Sequence, residues 1–192
     1  MAVFDVEMRH DRGTLTALSR MQYDLFCGRN RAARGFLSAA LILTAVLYGG
    51  GSWWSLLLIA YGCYLMTSTY AASNRTARRI ADRLEAEGRP LPASRYVFEE
   101  KKMRIFTLPD GEELEPLPYG EVAGLGEDAG AFYLFRTQYG GYRVPKEGLG
   151  ERKDEFRRFV QEKTGRLFIR RVTPLNRVRA WLRAREREPV HL

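Results

Sequence analysis

The chain has 192 residues, 28% of them charged, a formal charge of +8 and a mean hydropathy of −0.33. That balance excludes a bundle of many membrane spans, and two cysteines exclude a disulfide framework. The positive charge points to an anionic partner, nucleic acid or a membrane surface, and the positions of the basic residues decide between them.

The N-terminal "MAVFDVEMRHDRG" has no apolar run and carries early acids, so it does not read as a signal peptide. Apolar and polar residues alternate from Val3 through Phe4, Val6 and Met8, which predicts a short strand over Val3–Arg9. That strand is expected to join a sheet built further along the chain, because alone its edges would stay unpaired. "DRGTLTALSRMQYDLFCGRNRAAR" follows, with Leu15, Leu18, Met21, Leu25 and Phe26 near helical spacing. It predicts a helix leading towards a membrane, so that residues 1–33 form an N-terminal strand and helix.

Charge then disappears. No Asp, Glu, Lys or Arg occurs between Gly35 and Asn74. A helix rises about 1.5 Å per residue, and about 20 apolar residues cross a bilayer core of about 30 Å. "RGFLSAALILTAVLYGG" and "WWSLLLIAYGCYLMTSTYAAS" each approach that length, which predicts a two-helix transmembrane hairpin over residues 34–74. "GGGS" is its turn, since glycine frees the backbone and disfavours one continuous helix. Tyr48, Trp53 and Trp54 flank the turn, where aromatic rings favour the headgroup level. The first segment is a little short, so Arg34 has to snorkel. Gly35 with Ala39, and Ala60 with Tyr64, are the small-residue candidates for contact between the helices. A helical hairpin buried in a soluble core is the alternative, and core helices rarely stay uncharged on every face over such lengths.

Arg29, Arg31 and Arg34 precede the first segment; Arg75, Arg78, Arg79 and Arg83 follow the second. The tip carries no charge, so the positive-inside rule places both termini in the cytoplasm. No ionisable acidic, basic or histidine side chain lies within either segment, which argues against an ion path. Residues 75–94 read as a juxtamembrane helix, "RTARRIADRLEAE", continuing the second span, and a linker broken by Gly88 and "RPLP".

From residue 95 to 165 the texture is that of strands. "RYVFEE", "KMRIFTL" and "AFYLFRT" are strand-like, "PDGE" marks a turn, and Gly140–Gly141 between Tyr139 and Tyr142 signals a hairpin. Arg152–Thr164 predicts a helix with Phe156, Phe159 and Val160 as its apolar stripe, stopped by Gly165. The fold class expected is an α+β membrane protein, with an antiparallel sheet closed by a C-terminal helix.

The N-terminal strand and helix, the apolar hairpin, "LPYGEVAGL", "GGYRVPKEGL" with Val144-Pro145-Lys146 closing a strand, and the helix with Phe156 and Phe159 together resemble the YcxB-like family of small bacterial membrane proteins. The resemblance covers most of Phe4–Thr164. It implies a pleckstrin-homology-like domain after the hairpin. The family has no established chemistry, so it implies no catalytic residue and no cofactor.

Few residues suggest chemistry. "GLGEDAG" at 124–130 is neither a dinucleotide fingerprint nor a P-loop and reads as a β-turn. Glu112, Glu113 and Glu115, and Glu99 with Glu100, are paired carboxylates expected in solvated loops. His10 and His191 stand near opposite ends of the chain, which disfavours a zinc site. Cys27 and Cys63 are not expected to pair. The tail, residues 166–192, is the most basic segment, with Arg166, Arg170, Arg171, Arg177, Arg179, Arg183, Arg185 and Arg187 against Glu186 and Glu188. Leu175, Val178, Trp181 and Leu182 recur at helical spacing there. Arg177, Arg179, Trp181 and Arg183 are therefore candidate contacts to an anionic inner leaflet, the alternative being a helix docked on the protein's own sheet.

These observations predict a non-enzymatic protein of the bacterial cell membrane, with a cytoplasmic module that binds a protein segment or a lipid headgroup. The alternatives are a structural subunit of a membrane complex and an enzyme acting on a membrane substrate. The expected partners are the lipid bilayer and anionic lipids, then another membrane protein or a second copy; no recognised motif supports nucleic acid.

Overall fold

A computed structural model describes residues 2–48, 52–88 and 90–170 and shows an α+β fold. Strand β1, Phe4–Arg9, opens the chain. Three helices follow: α1, Arg12–Phe26; α2, Gly28–Tyr48; and α3, Trp53–Ala86. The rest is mainly β: β2, Ala93–Phe98; β3, Lys102–Thr107; β4, Glu113–Pro118; β5, Gly124–Glu127; β6, Ala131–Thr137; β7, Gly140–Pro145; and β8, Ile169–Arg170. Helix α4, Lys153–Thr164, lies between β7 and β8.

The strands form two sheets, in the orders β1-β2-β3-β4 and β7-β6-β5-β8. As the sequence predicts, β1 joins the sheet, antiparallel to β2 from Phe4 opposite Phe98 to Arg9 opposite Ala93. Phe4, Val6 and Met8 are buried while Asp5, Glu7 and Arg9 are exposed, the two-residue period of a strand with one wet face. The two sheets share one core with α4. The Phe156 ring has no exposed surface and meets Phe4 at 5.2 Å, Phe98 at 4.9 Å and Phe132 at 5.2 Å. Gly165 stops α4 in the left-handed conformation, φ 65°, which glycine adopts without penalty.

Strand β6 is buried on both faces. Phe132 and Leu134 point into the shared core, while Ala131, Tyr133 and Phe135 form a second cluster with Met21 of α1. This explains why "AFYLFRT" is apolar without alternation. Helix α1 lies directly on the sheet because β5 presents glycines there. A β-carbon on Gly126 would sit 2.5 Å from Met21 Sδ, and one on Gly124 3.2 Å from Phe26 Cζ. On its other side α1 meets α3, Leu15 packing with Ala77 and Ala81. The N-cap Asp11 accepts from Thr14 N at 2.6 Å, and Thr14 Oγ1 accepts from Asp11 N at 2.7 Å.

Several details differ from the sequence reading. The helix expected to run unbroken into the apolar segment divides at Cys27 into α1 and α2. Gly28, a poor helix former, follows at once. The β6–β7 turn lies at Gln138–Tyr139, not at the Gly140–Gly141 pair. Gly141 instead lies opposite Phe135 in the ladder, where a β-carbon would come within 2.3 Å of that ring. "GLGEDAG" is half strand: Gly124–Glu127 is β5, and only then does the chain turn, with Asp128 Oδ1 accepting from Gly130 N and Ala131 N at 2.8 Å each. Glu113 and Glu115 belong to β4, not to a loop. Ile169–Arg170, assigned to the tail, extends the second sheet by pairing parallel to β5.

Candidate functional site

The α2–α3 hairpin is built around a polar seam. Ser38 Oγ donates to the Gly62 carbonyl at 2.7 Å, and both residues are buried. A β-carbon on Gly62 would lie 2.9 Å from Ile42 Cγ1 and 3.1 Å from Ser38 O, so only glycine allows this approach. The close contact expected at Gly35 is not made there, since a β-carbon on Gly35 would meet nothing within 4 Å. Away from the seam the hairpin turns apolar side chains outward, among them Phe36, Leu43, Val46, Leu47, Leu56 and Leu57. Only 11% of the apolar stretch of α2 is buried.

The sequence-predicted interface residues fall at the two ends of this apolar zone. Tyr48 ends α2, and Trp53 and Trp54 open α3, all exposed, the indole rings stacked at 4.0 Å. At the opposite end Arg34, Arg75, Arg78 and Arg79 are exposed. The helices differ as candidate spans. α2 is by itself long and apolar enough to cross a membrane. α3 qualifies only when Trp53–Thr69 and Ala71–Ala86, which meet at a 50° bend, are taken as one span. The reason is length: at about 1.5 Å per residue, Trp53–Thr69 covers about 25 Å, and a charged segment follows the bend.

The β unit holds a charged centre that sequence reasoning passed over. Glu127, the last residue of β5, is 4% exposed. Its carboxylate accepts from Lys146 Nζ at 2.8 Å, from Arg157 Nη2 at 2.7 Å and from Arg170 Nε at 3.3 Å. Lys146 Nζ also donates to the Asp128 carbonyl at 2.6 Å and lies 4.8 Å from the Phe132 ring centroid. Burial alone would raise the Glu127 pKa; hydrogen bonds from Arg157 and Lys146 outweigh it and hold the carboxyl below its ordinary range. The group stays ionised near neutrality and serves as an anionic clamp joining β5, the end of β7, α4 and β8. The one signal in the sequence was an acid closing a glycine-rich strand, inside the motif read as a turn.

A second polar cluster lies under the start of α1. Tyr133 Oη donates to Asp128 Oδ2 at 2.6 Å, and burial, reinforced by that carboxylate, pushes its phenol pKa up. Arg143 lies against Met8 Sδ at 3.3 Å, and its Nε is buried without a hydrogen-bond partner. Burial, with Arg143 nearby, holds His10 below its ordinary 6.5.

Three of the five carboxylates singled out as possible acid–base groups, Glu99, Glu113 and Glu115, are in ion pairs. Glu113 takes both Arg104 Nε and Nη2 at 2.7 Å, and Glu115 pairs with Arg136 at 2.8 Å. Glu99 lies 3.6 Å from Arg104. Cys27 and Cys63 are free thiols. Among the described residues, no three His, Cys, Asp or Glu side chains group as a metal site. Arg177, Arg179, Trp181 and Arg183 lie outside the described residues. Comparison with protein-family models, curated proteins and solved structures found no match to this chain.

Proposed function

We propose that the protein is a membrane-anchored, non-enzymatic interaction module of the bacterial cell membrane. In this reading α2 and α3 cross the bilayer, both termini are cytoplasmic, and the β unit is a pleckstrin-homology-like module that binds a lipid headgroup at the inner leaflet. The observation that carries the reading is one of closure. The helical excursion leaves the sheet after Arg9 and re-enters it at Ala93, and these two residues are ladder neighbours. A chain that departs and returns at one point crosses a membrane an even number of times. Given that α2 is apolar enough to span and mostly unburied, α3 must bring the chain back.

Two further observations support it. The YcxB-like resemblance implies a pleckstrin-homology-like domain after the hairpin, and in this reading the two sheets with α4 between β7 and β8 supply it. The β unit is also held at a set distance from the hairpin, because α1 packs on both β6 and α3. Headgroup depth is then the natural level for a ligand. Alkaline carbonate extraction of cell membranes tests the anchor, and native mass in detergent tests the module. Retention in the pellet as a small particle that captures anionic lipid supports the proposal; release into the supernatant, or a large heteromeric particle, counts against it.

A further inference from the structure

Where α1 ends, α2 begins and α3 passes from Thr69 to Asn74, the three helices enclose two adjoining cavities of about 240 and 270 Å³. They share Tyr23, Arg31 and Thr69 as walls. Three arginines, Arg20, Arg31 and Arg34, are among the lining residues, with one acid, Asp24, which pairs with Arg31. Arg20 Nε donates to Asn74 Oδ1 at 2.8 Å, an acceptor role that leaves the Asn74 amide nitrogen its donor capacity. Asn30 and Tyr23, side chains that carry donors, also line the cleft.

We propose that this juxtamembrane cleft binds a phosphate group, that of an anionic phospholipid headgroup. The position argues for it. One wall runs from Arg20 to Arg34, the residue just before the uncharged stretch, and the other from Thr69 to Asn74, the last residues of that stretch. The α3 bend between Thr69 and Ala71 falls at the same level. The chemistry argues for it as well. A guanidinium presents paired N–H donors that match phosphate oxygens, and donors outnumber acceptors on the walls. Asp24 neutralises Arg31, so Arg20 and Arg34 carry the charge that holds the ligand. The level assigned to the cleft rests on the membrane reading above; the phosphate chemistry does not.

The test uses the full-length protein in detergent, examined by native mass spectrometry with phosphatidylglycerol, phosphatidylcholine or inorganic phosphate. One phosphatidylglycerol is retained per chain and phosphatidylcholine is not. The double variant Arg20→Gln/Arg34→Gln, which leaves the Asp24–Arg31 pair in place, weakens retention about tenfold. Lys153→Gln/Arg158→Gln, two exposed cations of α4 outside the cleft, leaves it unchanged. Displacement of the lipid by inorganic phosphate keeps the site and assigns it to free phosphate instead. Absence of any retained anion, or an equal loss in the outside variant, overturns the proposal. Carbonate extraction of the same membranes separates the two readings: an integral protein that retains no anion refutes the cleft and the headgroup-binding role but leaves the anchor standing, and an extracted protein that still binds inorganic phosphate refutes the anchor alone.

Discussion

The hairpin and the β unit turn their large apolar side chains in opposite directions. In the β unit Phe98, Phe132 and Phe156 are fully inside, and exposed carboxylates such as Glu113 pair with arginines at the surface. In the hairpin the buried contact is a hydroxyl on a carbonyl, Ser38 to Gly62, and Phe36, Leu43 and Val46 face outward. On the proposed membrane reading, one chain follows two packing rules. In water, apolar burial drives folding; in lipid, close backbone approach and internal hydrogen bonds hold helices together. Helix α1 joins the two, with Met21 on the sheet and Leu15 on α3.

Substitutions should respect that division. The largest effect is expected from Phe156→Ala, which empties the point where three rings meet. A loss of about 3–5 kcal/mol is expected, seen as a lower melting temperature of the β signal with membrane retention unchanged. Equal loss of membrane retention would erase the distinction between the regions.

Glu127→Gln leaves Lys146, Arg157 and Arg170 without their anion and should cost about 3 kcal/mol. It should also change the acid response. The folded Glu127 pKa lies below its ordinary 4.5, so its stabilisation is present above pH 4.5 and lost as pH falls through the folded value. The variant should melt with a flatter dependence in that range. His10 acts in a higher window. Its folded pKa is below 6.5, so the unfolded chain takes up the proton first and stability declines as pH drops from 6.5. His10→Gln should flatten that upper window and leave the lower one intact.

Gly62→Leu drives a side chain into Ile42 and the Ser38 carbonyl. A cost of about 2 kcal/mol is expected in the hairpin, read as earlier loss of helical signal while the β unit keeps its near-ultraviolet spectrum. Arg12→Ala removes exposed pairs to Asp82 and Glu85 that fasten α1 to α3. Its effect on melting should be the smallest of these and shrink with added salt.

Legibility in the sequence followed the same division. The apolar stretch, the β1 alternation, the α4 stripe and the Gly165 stop are local patterns, and each appears in the structure. Glycines were harder, because a glycine at a turn and one admitting a neighbour look alike. Gly140–Gly141 was read as a turn when Gly141 makes room for Phe135, and Gly62 was passed over where Gly35 with Ala39 and Ala60 with Tyr64 were named. The Glu127 clamp was invisible for a different reason. Its partners stand 19, 30 and 43 residues away, so no local pattern marks them. The juxtamembrane cleft combines residues 20–34 with 69–74 and needed the same long-range closure.

The central claim is that the excursion between Arg9 and Ala93 crosses the membrane and returns. Single cysteines at Ser52 and at Glu100, introduced with Cys27→Ser and Cys63→Ala, test it in intact cells with a membrane-impermeant maleimide. The account predicts that Ser52→Cys labels without permeabilisation and Glu100→Cys only after it. Labelling of both positions only after permeabilisation, or of Glu100→Cys from outside, would contradict it.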